Sequence, residues 1–179
     1  MLAAFVQGPL VRVIPVGILL LALQRTLMVE LTIDGVVLQL LAAFAAAAGA
    51  AGGSERGALV GFTVGIMYDL VEGTPLGSTA LAYSLAGIVA GLLALMVAEP
   101  HWWLAMIFTG LGTAAGELAV PAVRFFIGET DTFDERLRTI VPIVAVGGAI
   151  MGIVLVPLAR WSLRMKSEPW KEPPAEAGV

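Results

Sequence analysis

Apolar residues fall into six runs along the chain, at 10–27, 36–51, 57–71, 75–97, 102–126 and 140–158, with short polar breaks between them. About 20 apolar residues cross a bilayer core of roughly 30 Å, so each run reads as a transmembrane helix. The third counts only about 15 residues, too few for an upright crossing at 1.5 Å per residue. Every connection is short, which predicts one compact all-α bundle of six transmembrane helices over residues 1–166 and no soluble module. No small-residue cleavage site follows the first run, so a cleaved signal peptide is not expected. Residues 167–179 are polar and proline-rich, and are expected to form a disordered cytoplasmic tail.

Composition supports this pattern. Hydrophobic residues make up 59% of 179 positions, charged residues 13%, and mean hydropathy is +0.94. A soluble domain carries about a quarter charged residues, so this chain has too few to cover a water-facing surface and reads as an integral membrane protein. The absence of cysteine removes disulfides, thiolate metal sites and cysteine nucleophiles. His101 is the single histidine, too little for a histidine metal site. The net charge of −4 comes without a basic run, so nucleic acid is not an expected partner.

Six spans place both termini on one side, with Arg12, Arg56, Arg160, Arg164, Lys166 and Lys171. Arg25, Arg124, Arg136 and Arg138 fall on the other, together with most of the acidic residues. The excess of basic residues marks the terminal side as cytoplasmic, and the break at 69–74 then faces outward. His101, Trp102 and Trp103 open the fifth run, and Trp161, Arg164, Lys166 and Trp170 follow the sixth, as interface anchors do. The polar stretch 129–138 reads as a solvated loop or a short surface helix with Phe133 and Leu137 toward the membrane, a contact open to an extracytoplasmic partner.

Glycines recur every four residues at Gly57, Gly61 and Gly65, and again at Gly87/Gly91, Gly112/Gly116 and Gly148/Gly152. This spacing puts each set on one helix face and lets backbones approach closely. The stripes either pack the bundle internally or, in the third span above all, dock a partner's transmembrane helix.

Ionisable residues inside apolar runs are candidates for function. Asp69 ends the third run, where its carboxylate can accept from amides opening the next helix; it either fixes the turn or binds a partner. Thr74 and Pro75 read as the N-cap and first residue of the fourth helix. Glu117 and Arg124 lie two turns apart on the fifth run, with Pro121 between them removing the donor to the carbonyl of residue 117. The arrangement suggests an internal polar pocket, or a contact of Glu117 with a basic group on another helix, or else the helix ends near Pro121 and both charges are interfacial. Pro15 and Pro157 bend their helices. No nucleophile–base pair, phosphate loop or metal cluster appears, so neither an enzyme nor a bound cofactor is expected.

The order of features from Gln24 to Tyr83 resembles the bacterial rod shape-determining MreD family. The resemblance rests on Gln24-Arg25-Thr26-Leu27, Leu31-Thr32-Ile33-Asp34-Gly35, and the glycine-rich Gly61-Phe62-Thr63-Val64-Gly65-Ile66-Met67-Tyr68-Asp69. It continues through Gly73-Thr74-Pro75-Leu76-Gly77 and Ala80-Leu81-Ala82-Tyr83. Beyond this third of the chain, agreement is limited to span count and length. Members carry a Pro-Asp pair at the start of the second span; here the residues are Val36-Val37-Leu38-Gln39, and that pair's role is not carried over.

The resemblance implies a fold like the substrate-binding subunits of energy-coupling-factor transporters. It also implies a non-enzymatic scaffold of the cell-elongation machinery in the plasma membrane, governing cell shape and peptidoglycan synthesis. Its partners would be an MreC-like bitopic protein and, directly or indirectly, the peptidoglycan polymerase and transpeptidase and the MreB-like cytoskeleton. Gly57, Gly61, Gly65, Asp69, Gly73, Pro75, Leu76 and Gly77 are then the candidate docking or turn residues. The alternative is a vitamin-like small-molecule-binding subunit of a transporter, with Glu117, Arg124 and Asp69 lining one polar cavity of roughly 300 Å³ or more.

Overall fold

A computed structural model describes residues 10–28, 30, 32, 35–97, 101–128 and 136–163. Among these, six α-helices and no strand are present: α1 Leu10–Leu23, α2 Leu40–Gly52, α3 Ser54–Glu72, α4 Ser78–Leu95, α5 Trp102–Ile127 and α6 Leu137–Ser162. A π-helical stretch, Gln24–Met28, prolongs α1. The tail and most of the 129–138 stretch lie outside the described residues, as do the side chains of Arg164, Lys166 and Trp170.

The core is α2. Its sequence, Leu-Leu-Ala-Ala-Phe-Ala-Ala-Ala-Ala-Gly-Ala-Ala-Gly, is apolar on every face, which suits a helix enclosed on all sides. Leu41 to Ala48 are 0–1% exposed, and α3, α4, α5 and α6 all pack against this helix while α1 sits at the edge. Alanine and glycine keep α2 thin, so four neighbours approach it closely.

Neighbouring helices run antiparallel, as their glycine contacts show. A Cβ on Gly57, Gly61 or Gly65 of α3 would meet the backbone of Gly87, Tyr83 or Ala80 of α4 in turn, each at 2.2–2.6 Å. Gly49, Gly57 and Gly87 meet at one point where α2, α3 and α4 touch backbone to backbone. Gly112 and Gly116 of α5 face Ala86 of α4, and Gly148 and Gly152 of α6 face Thr113 and Thr109 of α5. All four stripes therefore close contacts within the bundle.

Three element boundaries depart from the sequence reading. The third helix is not short: Ser54, Glu55 and Arg56 form its first turn, where Glu55 favours the positive helix end, and its 19 residues reach about 28 Å. The short helix is α2, whose 13 residues cover about 20 Å, because 36–39 stays non-helical before it. The fourth helix starts at Ser78 after Gly77, which holds φ +96°, so Thr74 and Pro75 belong to the turn rather than to the helix. In α5 the helix runs unbroken through Pro121 to Ile127, which removes the reading that it ends there.

Helices α4, α5 and α6 are long and apolar enough to cross a membrane. The bundle's exterior carries large apolar side chains such as Ile18, Leu19, Leu95, Ile150 and Val154, each more than half exposed. A surface of this kind suits hydrocarbon better than water.

Candidate functional site

Polar side chains gather at one end of the bundle, where α1, α3 and α5 finish and α2, α4 and α6 begin. Asp69, in the last turn of α3, is 1% exposed and accepts four hydrogen bonds. The Thr74 hydroxyl donates to Oδ1 at 2.7 Å and the Gly77 amide to Oδ2 at 2.8 Å. The Thr79 and Ala80 amides follow at 3.2 and 3.4 Å. These amides open α4, and an α-helix has no internal partner for its first four N–H groups. Gly73, at φ +70°, closes α3 by donating its amide to the Asp69 carbonyl. Asp69 thus caps the next helix across the turn, with its acceptor capacity taken up inside the fold.

Gln24 does the same for α2. It sits at the start of the π-helical stretch, 5% exposed, and its Oε1 accepts from the Leu41 amide at 3.1 Å. Its Nε2 donates to Gln39 Oε1 at 3.2 Å, and the Tyr83 hydroxyl donates to the same oxygen at 3.0 Å. Tyr68 packs against Tyr83 with ring centroids 5.9 Å apart. Near them the half-exposed Arg25 pairs with Glu72 at 3.0 Å. Beyond their place in the compared motifs, Gln24 and Gln39 do not stand out in the sequence as site residues, because each lies near the edge of an apolar run, where an amide reads as an ordinary boundary. The signal was there: two glutamines flank one break, facing a helix start without an N-cap side chain.

Beside this network lies a partly open polar chamber of about 440 Å³, lined by Gly35, Val36, Val37, Gln39, Glu117, Arg136, Thr139 and Ile140. Glu117 therefore does face a cavity, but its composition differs from the expected one. Its lining cation is Arg136, at the foot of α6. Arg124 acts on Glu117 electrostatically without lining the chamber. Asp69 is held in its turn. A second hollow of about 380 Å³, almost wholly apolar, runs along the outer face of α6 past Leu38, Ile143, Val146, Gly147, Ile150 and Met151.

The other candidates are placed as follows. Gly57, Gly61 and Gly65 are buried against α4, so a partner helix on that stripe would have to displace α4. Gly73 and Gly77 stand at positive φ with open space around them, while Pro75 and Leu76 are exposed, Leu76 at 69%. Trp102 and Trp103 are exposed at the start of α5, and His101 packs on Trp103. At the same end as these tryptophans, Arg12 stacks on Trp161, its guanidinium 5.1 Å from the ring centroid. Among the described residues no group of three or more metal-ligating side chains converges. Comparison with protein-family models, curated proteins and solved structures returns no match.

Proposed function

We propose that this chain is a membrane-embedded scaffold of the bacterial cell-elongation machinery, without catalysis of its own, that holds an MreC-like bitopic partner. One observation carries the reading. The stretch that resembles the MreD family is also the one built as a locked turn, with Asp69 bonded inward and Leu70, Val71 and Leu76 exposed at 66, 49 and 69%. An apolar knuckle on a fixed backbone is a suitable docking surface, because little ordering entropy is lost on binding. The glycine faces are occupied by the fold itself, so the partner meets the turn and the outer face of α3. In this reading the helices cross the plasma membrane, both termini are cytoplasmic by the excess of basic residues, and the turn faces outward.

The test is depletion in the native host, complemented with either the parent chain or Leu76→Asp. Loss of rod shape restored by the parent, but not by a Leu76→Asp protein accumulating to parent level, is the expected result. Cells that keep elongating normally after depletion would end the cell-elongation reading.

A second reading, a small-molecule-binding subunit of a transporter, draws on the polar chamber beside Glu117. Its volume lies within the range of ligand sites. A water-soluble ligand that raises the melting temperature of the purified chain would favour it.

A further inference from the structure

The polar chamber and the apolar hollow lie end to end along one helix. Arg136 precedes α6, and Thr139 and Ile140 in its first turn close the chamber; Ile143, Val146, Gly147 and Ile150 continue the same face into the hollow. The spacing of three and four residues keeps these positions on one stripe. From Arg136 to Ile150 the stripe runs about 21 Å at 1.5 Å per residue. Across from it, the non-helical segment before α2 takes part in both spaces: Val37 and Gln39 face the chamber and Leu38 the hollow. Leu38 lies against Gly147 so closely that a Cβ there would meet its Cδ2 at 2.4 Å.

We propose that this composite groove binds one membrane amphiphile, a lipid whose head carries both a phosphate and an N–H donor, as phosphoethanolamine does. The head of such a lipid suits the chamber chemically. Arg136 offers a cation to the phosphate, and the Glu117 carboxyl accepts from the ammonium. The chain suits the hollow, which presents almost no polar atom and lies on the exposed face of a helix long and apolar enough to cross a membrane. The order also fits the bilayer: Arg136 stands at the start of α6, nearest the headgroups, and the apolar hollow extends toward the middle of the helix. A peptide helix would fill the hollow but would make no use of the polar chamber that continues it. The proposal requires only that α6 lies in lipid, and is independent of the cell-elongation reading.

The full chain, purified in mild detergent, is equilibrated with phosphatidylethanolamine, or with phosphatidylcholine of the same acyl chains, and bound lipid is counted by native mass spectrometry. The two heads carry the same charges, but choline has no N–H to donate. Phosphatidylethanolamine is expected to be retained at least tenfold more strongly. Glu117→Gln should shrink that preference to threefold or less, and Arg136→Ala should weaken both lipids tenfold. Val146→Trp, or Ile150→Trp should the first not fold, fills the hollow from an exposed position and should abolish retention. Phosphoethanolamine without chains should not bind measurably.

Equal retention of the two lipids by the parent chain would overturn the proposal. So would retention unchanged by both tryptophan variants, or equally tight binding of the chainless head. A co-purifying polypeptide lost in Val146→Trp while lipid retention persists would assign the face to a protein instead, and also overturn it.

Discussion

Removing the Asp69 carboxylate is the sharpest test of how the turn is built. In Asp69→Ala, the amides of Gly77, Thr79 and Ala80 and the Thr74 hydroxyl lose their acceptor together. Bonds to a charged group contribute about 1.5–3 kcal/mol each, and weaker ones about 0.5–1. Two of these contacts are short, at 2.7 and 2.8 Å, and two are long, at 3.2 and 3.4 Å. Their sum is about 4–8 kcal/mol on that scale. The parent bears the cost of taking this carboxylate out of water, and the alanine variant is spared it, which offsets part of that sum by several kcal/mol. The net loss should be about 3–4 kcal/mol, above the ~0.5–2 of an ordinary aspartate cap, because one carboxylate serves three amides rather than one.

Asp69→Asn keeps one acceptor oxygen. Its new NH2 group can be met by Thr74, whose hydroxyl turns to accept, but not by the Thr79 amide, so about half the loss is expected, ~1.5–2 kcal/mol. Thr74→Ala removes one neutral hydroxyl donor, at ~1 kcal/mol. The assay is thermal unfolding of the full chain in detergent, followed by circular dichroism. At about 2–4 °C per kcal/mol for a chain of this size, Asp69→Ala should melt about 6–16 °C below the parent, with Asn and Thr74→Ala between. If Asp69→Ala and Asp69→Asn both melt within about 1 °C of the parent, the carboxylate does not hold the turn and the capping argument fails. Unchanged melting with loss of partner binding would instead make Asp69 a recognition residue.

Two further outcomes follow from packing. Gly61→Leu drives a side chain into the Tyr83 carbonyl, 2.2 Å from the Cβ position; it should cost more than the ~1–3 kcal/mol of ordinary overpacking and reduce folded protein before any question of partner binding arises. Recovery of Gly61→Leu at parent level and parent melting temperature would show that α3 and α4 do not pack as described. Ser78→Ala should be neutral or stabilising by up to ~1 kcal/mol, because the Ser78 hydroxyl is buried with no hydrogen-bond partner among the described residues; a drop in melting temperature would reveal a partner for it.

The six helices were legible because the apolar runs are long and the breaks polar, and boundaries moved where a local device outweighed composition. Gln39, Val37 and Val36 read as the start of an apolar span, yet the segment stays unwound: Gln39 bonds Gln24 and Tyr83, and its neighbours line a chamber. Thr74-Pro75 has the composition of a helix start, but the threonine hydroxyl is drawn to Asp69 and the helix waits for Gly77. The glycine spacing identified faces correctly and could not identify what lay against them, since spacing along one helix holds no information about its neighbour. Gln24 and Gln39 are 15 residues apart and meet where the end of α1 turns into a π-helix, which no periodicity announces. The chamber drew Arg136 from a polar stretch that reads as a loop, whereas Glu117 was visible as a carboxylate in mid-span.

What remains for function is set by what the fold has already used. Two helix starts are served by side chains of the preceding helix, α2 by Gln24 and α4 by Asp69, which leaves those amides with no need of water. The same holds for the small residues: each glycine stripe closes a contact between two helices of the bundle. A residue that is buried, polar and fully bonded within the chain has little left to offer a ligand, however unusual it looks in an apolar sequence. Asp69 and the α3 glycines, the most conspicuous residues in the sequence, are used up in this way, and the open positions are less conspicuous ones. Leu70, Val71 and Leu76 stand on a turn that Asp69 holds in place. Arg136 and Thr139 open a groove that continues down α6, where only a third of the most apolar stretch is buried. Internal bonding by Asp69 holds the first surface in shape, and the Gln24–Gln39 pair holds the unwound segment that borders the second.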